Sequence, residues 1–176
     1  MDTRAAAIAN AKRLVVKVGS AVLAGEGGLD LRAVNRLADQ LAGLHDRGLD
    51  VVLVSSGAVA AGRRRIQACG CLPDVDKADL GKTGDLPARQ AVSAIGQSRL
   101  MHEYDEAFGR YGKISAQVLL TREDLKSRSR FLNARNTMRR LLDWRVIPVV
   151  NENDTVAVQE LEFGDNDTLA SLCVAL

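Results

Sequence analysis

The sequence predicts an α/β fold, a three-layer α/β/α sandwich around a mainly parallel sheet, and three observations carry that expectation. Short β-branched runs at Leu14–Val18, Val51–Val54, Ile114–Leu120 and Val146–Val150 have the length and composition of buried strands. Between them lie longer stretches whose apolar residues recur at three- and four-residue steps, as helices require. Strands alternating with helices build βαβ units, whose sheet is parallel and covered on both faces.

The bulk numbers fit one domain. A chain of 176 residues, 47% hydrophobic and 26% charged, can bury roughly two-thirds of its surface. Aromatics are only 3%, so the core must be aliphatic. A net charge of +2 argues against nucleic acid as the main partner, since such proteins carry strong basic footprints. No apolar run reaches the ~18 residues of a membrane span, and no leader h-region follows the start. A cytoplasmic protein is expected, with Cys69, Cys71 and Cys173 as reduced thiols and no metal spacing among them.

Residues 1–12 read as a loose lead-in and 13–176 as the folded unit. Leu14–Ser20 (LVVKVGS) is a strand stopped by glycine. Lys17 is its anomaly, because a charge in a central parallel strand is costly unless paired. It is either a lysine snorkelling at the strand's end or a cation aimed at phosphate, with Gly19 and Ser20 letting backbone N–H groups approach the same anion. From Asp30 a helix follows, with Leu31, Val34, Leu37, Ala38, Leu41 and Leu44 as its stripe and Gly48 as its stop.

Val51–Val54 runs into Ser55-Ser56-Gly57-Ala58 and a small-residue helix over Val59–Arg65. That junction is an anion-ready helix N-terminus. Ser56 lacks the frame of a nucleophile and suits hydrogen bonding better. Residues 68–87 are the one long irregular stretch, a surface loop expected to act as a lid or interface arm. Their Gly81-Lys82-Thr83 is no P-loop, since Asp76 stands where the leading glycine belongs. Ala88–Gly109 is helical by spacing, and Thr121–Asp124 resembles a capping box opening another helical region that Trp144 closes. His45 and His102 are expected at the surface among charged neighbours.

The densest chemistry lies in Val146–Asp167. Asn151, Glu152, Asn153 and Asp154 burst out at a strand's exit, and Gly164-Asp165-Asn166-Asp167 opens an apolar run. Asp167 alone would serve as a helix N-cap. A cluster this large suits a ligand site at the carboxyl end of a sheet. Leu169–Leu176 stops in full apolar stride, so the natural protein is expected to continue past Leu176.

These segments together resemble the amino acid kinase family, and within it the branch that phosphorylates glutamate. The likeness rests on VVKVGSAVL at Val15–Leu23, VVLVSSGAVAAGR at Val51–Arg63 and AIGQSRL at Ala94–Leu100. It continues through LLTREDL at Leu119–Leu125, RFLNARNT at Arg130–Thr137, and VIPVVNENDTVA with FGDND. The resemblance implies transfer of the γ-phosphoryl group of MgATP, with Mg²⁺ bound through the nucleotide, to the side-chain carboxylate of L-glutamate, the entry to proline synthesis. It implies that Lys17, Gly19 and Ser20 contact the ATP phosphates. Ser56, Asp154 and Asn166 would hold glutamate, with Asp154 on its ammonium. Ser56, the Gly57 and Ala58 N–H groups and Asn166 would donate to carboxylate. Asp165 and Asp167 would orient the lysines.

It further implies L-proline as a feedback inhibitor and a homo-oligomer. A second phosphate-binding lysine and most of the adenine pocket would lie in a C-terminal half, so the 176 residues alone are expected to be kinase-dead or nearly so. Two alternatives stand beside this: a glutamate- or proline-sensing domain without chemistry, and a sister kinase acting on another acid.

Overall fold

A computed structural model of the chain describes residues 11–25, 28–70, 86–157 and 165–174. In chain order the elements are β1 (Arg13–Val18), a one-turn helix α1 (Ser20–Leu23), and the two-residue strands β2 (Ala24–Gly25) and β3 (Gly28–Leu29). Then come α2 (Leu31–Asp46), β4 (Asp50–Ser55), α3 (Ala58–Cys69) and α4 (Leu86–Gly109). They are followed by β5 (Ser115–Leu120), α5 (Arg122–Lys126), α6 (Arg128–Asp143), β6 (Ile147–Glu152) and α7 (Asp165–Val174).

The main sheet has the order β1-β4-β6-β5, and every neighbouring pair is parallel. Its register sets Val18 beside Ser55, Val54 beside Val150 and Leu119 beside Asn151. The carboxyl ends of all four strands are therefore level. Period-2 alternation splits the buried residues between two faces. Val51, Leu53, Ile147 and Val149 join Val34, Leu41, Leu100 and Phe108 in a core under α2 and α4. Val52, Val54 and Val150 join Met138, Leu142, Leu169 and Cys173 in a second core under α6 and α7. This is the three-layer sandwich the sequence predicts.

Local chemistry sets the boundaries. The Asp30 carboxylate accepts from Arg32 N at 2.9 Å and Ala33 N at 3.1 Å, capping α2. Thr121 and Asp124 form a full capping box on α5. Gly57 enters α3 with φ +113°, a left-handed cap that glycine alone adopts without strain. On α3 and α4, Gly62 and Gly96 face each other. A Cβ on either would collide with the other helix's backbone, so the two helices touch main chain to main chain.

Several expectations change. β1 is an edge strand of the described sheet, and Lys17 near its carboxyl end is partly open to solvent and paired with Asp167 instead of buried in a central strand. Ser20 begins α1 instead of ending the strand, and the β2–β3 hairpin had no signal in the sequence. Asp50 N donates to the Lys12 carbonyl at 2.9 Å and holds that residue against the sheet, while the rest of the expected lead-in, 1–10, lies outside the described residues. Of the irregular stretch at 68–87, Ala68 and Cys69 continue α3 and Leu86–Pro87 opens α4, while 71–85, with Gly81–Thr83, lies outside the described residues.

His45 is 5% exposed instead of surface, because it follows Val34, Ala38 and Leu41 on the buried stripe of α2. Cys69 is disulfide-bonded instead of reduced. It is the exposed last residue of α3. Cys173 is free and buried, its thiol pushed up to about 11 by desolvation.

Candidate active site

Parallel register gathers the exits of β1, β4 and β6 at one end of the sheet, and the first turn of α7 reaches all three. Asp167 accepts from the Lys17 ammonium of β1 at 2.8 Å. Its neighbour Asn166 donates through Nδ2 to Ser56 Oγ, just past β4, at 2.6 Å. The same Nδ2 donates to Asn151 Oδ1, on β6, at 3.2 Å. Two consecutive residues of one helical turn thus join three strands. The carboxyl end of an open α/β sheet is where such folds bind ligands.

Lys17 and Asp167 are 34% and 65% exposed in their side chains, so the pair contributes at most about 1 kcal/mol to stability. Its physical value is orientation. Asp167 occupies one of three ammonium hydrogens and leaves two for an anion. Gly19 lies beside it, where even a Cβ would stand 3.6 Å from Nζ, so the missing side chain leaves that approach open. Ser20, exposed, opens α1. Asp167 is not the N-cap, because α7 already begins at Asp165. A carboxylate in that first turn still suits the helix dipole. The side chain of Asp165 lies outside the described set.

At the exit of β4, Ser56 N donates to the Val18 carbonyl at 3.0 Å and fixes the loop against β1. Ser56 Oγ accepts from Asn166, so its own proton remains available to donate. Gly57 and Ala58 are buried at the start of α3, where the first N–H groups have no intrahelical partner. Asn166 departs from its expected part as a donor to carboxylate. Its amide nitrogen is committed to Ser56 and Asn151, and its buried Oδ1 is an acceptor without a partner.

Past β6, Asn153 N donates to Leu120 O at 2.9 Å, and Val156 and Ala157 N both donate to Asn153 O at 3.2 Å. This turn presents Asp154, whose Oδ2 accepts from Ser93 Oγ of α4. Asn151 Nδ2 donates to Gln97 Oε1, also of α4, at 2.8 Å. Ser93 and Gln97 lie one helical turn apart, so Asp154 and Asn151 are held from adjacent points on one face of α4. The acidic cluster and the lysine therefore converge on one end of the sheet.

Sequence alone assigns no role to Gln90, Ser93 and Gln97 of α4, and places Asn151 only within the polar cluster. A signal for the helix residues was present: polar side chains at i, i+3 and i+7 share a face with Val92, Gly96 and Leu100, all buried. Polar groups on a helix's buried stripe need partners, and here the partners are the site.

Residues 12–176 match the amino acid kinase family. The chain is 67% identical to the glutamate 5-kinase of Maridesulfovibrio salexigens over 172 residues, 98% of the chain and 43% of the relative. It is 62% identical to the glutamate 5-kinase of Nitratidesulfovibrio vulgaris over 97% of the chain and 42% of that relative. The glutamate 5-kinase of Thermus thermophilus is 56% identical over 95% of the chain and 42% of its own length. The chain thus spans less than half the length of these relatives. A parallel sheet sandwiched between helices, a lysine and an acidic-amide cluster meeting at its carboxyl end, and a match running from residue 12 to residue 176 agree: the chain belongs to the amino acid kinase family.

Proposed function

We propose that the protein phosphorylates the side-chain carboxylate of L-glutamate at the expense of ATP, giving glutamyl 5-phosphate and ADP, the first step of proline biosynthesis. The observation that carries this is the joint at Asn166 and Asp167, where one helical turn ties the Lys17 ammonium to the Ser56–Asn151 cluster. That joint sets a phosphate-seeking cation beside a set of groups suited to an amino acid. The names of the relatives support the same substrate.

The chemistry needs no general base, because a carboxylate with a pKa of about 4.3 is already ionised near neutrality. It needs alignment and positive charge, since two anions must meet. Asp154 is proposed to hold the substrate ammonium, where a carboxylate repels the substrate's own anionic ends and so sets its direction. The Ser56 hydroxyl and the N–H groups of Gly57 and Ala58 are proposed to donate to carboxylate. The unpartnered Asn166 Oδ1 is an acceptor suited to the ammonium, in place of the donor part first expected of this residue.

The nucleotide, with Mg²⁺ carried on its phosphates, supplies the phosphoryl group. Lys17 fits it through the two ammonium hydrogens Asp167 leaves free and the open space at Gly19; Ser20 belongs to the same turn. A substrate carboxylate oxygen bonds to the transferred phosphorus as the bond to the leaving diphosphate breaks. Lys17, oriented by Asp167, neutralises charge on that group, and Asp165 is proposed to orient a lysine likewise. L-proline as feedback inhibitor, homo-oligomeric assembly and a cytoplasmic location belong to the same proposal.

The full-length protein tests it. With ATP, Mg²⁺ and glutamate it forms an acyl phosphate trapped by hydroxylamine, and Lys17→Met lowers kcat about 10²–10³-fold, the usual cost of losing one charge-stabilising donor. No trapped product, or an unimpaired Lys17→Met enzyme, overturns the assignment.

A further inference from the structure

The α4 helix touches the site at three successive points along one stripe. Gln90 Nε2 donates to the Ala157 carbonyl at 2.9 Å, at the end of the turn that carries Asp154. One turn on, the Ser93 hydroxyl, 3% exposed, donates to the Asp154 carboxylate. One turn further, Gln97, 8% exposed, accepts from Asn151 through Oε1. From there the chain of contacts continues without a break, because Asn151 Oδ1 accepts from Asn166 Nδ2, which also reaches Ser56 Oγ.

This relay has a direction. With Gln97 presenting its carbonyl oxygen, Asn151 turns its own oxygen toward Asn166, and Asn166 turns its nitrogen toward Ser56. What is left over at the far end is the Ser56 proton and the Asn166 Oδ1. Gln97 Nε2 and Asn166 Oδ1 are the two buried polar atoms of the relay without partners. An unsatisfied buried group is costly, so an arrangement that keeps two of them signals a geometry held for a purpose. The helix that does the holding is itself fixed in depth by the Gly62–Gly96 contact with α3, whose N-terminus Gly57 and Ala58 form.

We infer that Gln97 and Ser93 are positioning residues: from the buried stripe of α4 they set Asn151 and Asp154, and through Asn151 the Asn166–Ser56 pair, in the geometry that receives the amino-acid substrate. Neither residue touches that substrate. The inference rests on the proposed glutamate site, and it adds a specific consequence: the two side chains govern the amino-acid side of the reaction and leave the nucleotide side alone.

Steady-state kinetics on the full-length protein test it. Gln97→Met keeps the volume and removes the acceptor; KM for glutamate rises about tenfold, the cost of one misdirected hydrogen bond, while KM for ATP and kcat stay within about twofold. Gln97→Glu keeps an acceptor facing Asn151 and brings KM for glutamate back to within about threefold of the parent. Should the Gln97 variants fail to fold, Ser93→Ala gives the same split and Ser93→Thr, which retains the hydroxyl, restores it.

A rise in both KM values together with a lower melting temperature, and no rescue by the conservative variants, means a merely structural role and overturns the inference. So does an unchanged KM for glutamate in both Gln97→Met and Ser93→Ala. Absence of glutamate binding by the unmodified protein in calorimetry strikes the functional reading itself, so the two failures are told apart.

Discussion

Gly96→Ala is the sharpest perturbation of the framework. The added methyl would overlap the Ala58 carbonyl oxygen and stand 2.7 Å from its carbon, where ordinary contact begins at 3.4 Å. The obstacle is backbone on a packed helix, so no side chain can swing aside, and α3 and α4 must part. Overpacking of this kind costs about 3 kcal/mol, at the upper end of its usual range, and the better helix propensity of alanine offsets about 1 kcal/mol. The net loss of about 2 kcal/mol lowers Tm by about 4–8 °C for a domain of this size. Gly43→Ala on α2 is the control, since nothing lies within 4 Å of its added Cβ. There only the propensity term acts, and stability rises by about 0.5–1 kcal/mol. The same chemical change thus has opposite signs at two helical glycines, read by thermal and denaturant unfolding. If the proposed site holds glutamate, its affinity weakens in Gly96→Ala as well, because Gln97 moves with its neighbour. A Gly96→Ala protein as stable as the parent refutes the close crossing.

Two further outcomes follow from single groups. Desolvation first, then the Arg145 and Lys113 charges, hold the His45 pKa below 6.5 despite the opposing Asp46, so the fold favours neutral imidazole. Its contribution to stability is full above pH 6.5 and fades as pH falls from there through the folded pKa. His45→Gln therefore flattens the stability profile in that window, and an unchanged slope in unfolding experiments contradicts the placement. Tyr104, raised to about 12 by burial, shares a 2.7 Å hydrogen bond with the Ser55 hydroxyl, which is fully buried. Tyr104→Phe costs about 1 kcal/mol of unfolding free energy; a neutral result means that the bond contributes no net stability.

Much of this architecture is legible in the chain because periodicity and β-branching report burial directly. β4 and β6 stand out since both of their faces are covered, so nearly every residue is buried and each carries a continuous apolar run of four. Asp30, Thr121 and Gly57 show themselves because caps and left-handed turns admit few residue types. α1 and the β2–β3 hairpin escape, being only four and two residues long per element, too short for any period.

The candidate site divides along the same line. Lys17, Ser56, Asp154, Asn166 and Asp167 are visible as polar groups at strand exits and a helix entrance, where the chain order alone brings polar residues to one end of a sheet. Ser93 and Gln97 join them across separations of 61 and 54 residues. Such pairings exist only once α4 is laid against β6, and its polar stripe reads in sequence as an ordinary imperfect amphipathic pattern. His45 reads as a surface group because its sequence neighbours Asp46 and Arg47 are charged, whereas its helical neighbours Leu41 and Ala42 are buried.

The central claim is that this end of the sheet receives an acidic amino acid through Asp154. Calorimetric titration of L-glutamate into the full-length protein and its Asp154→Asn variant tests that claim most directly. Saturable binding by the parent, weakened about 10–100-fold in the variant as expected for losing a charged hydrogen-bond partner, is the result the geometry predicts. Equal glutamate affinity in the two proteins would contradict it.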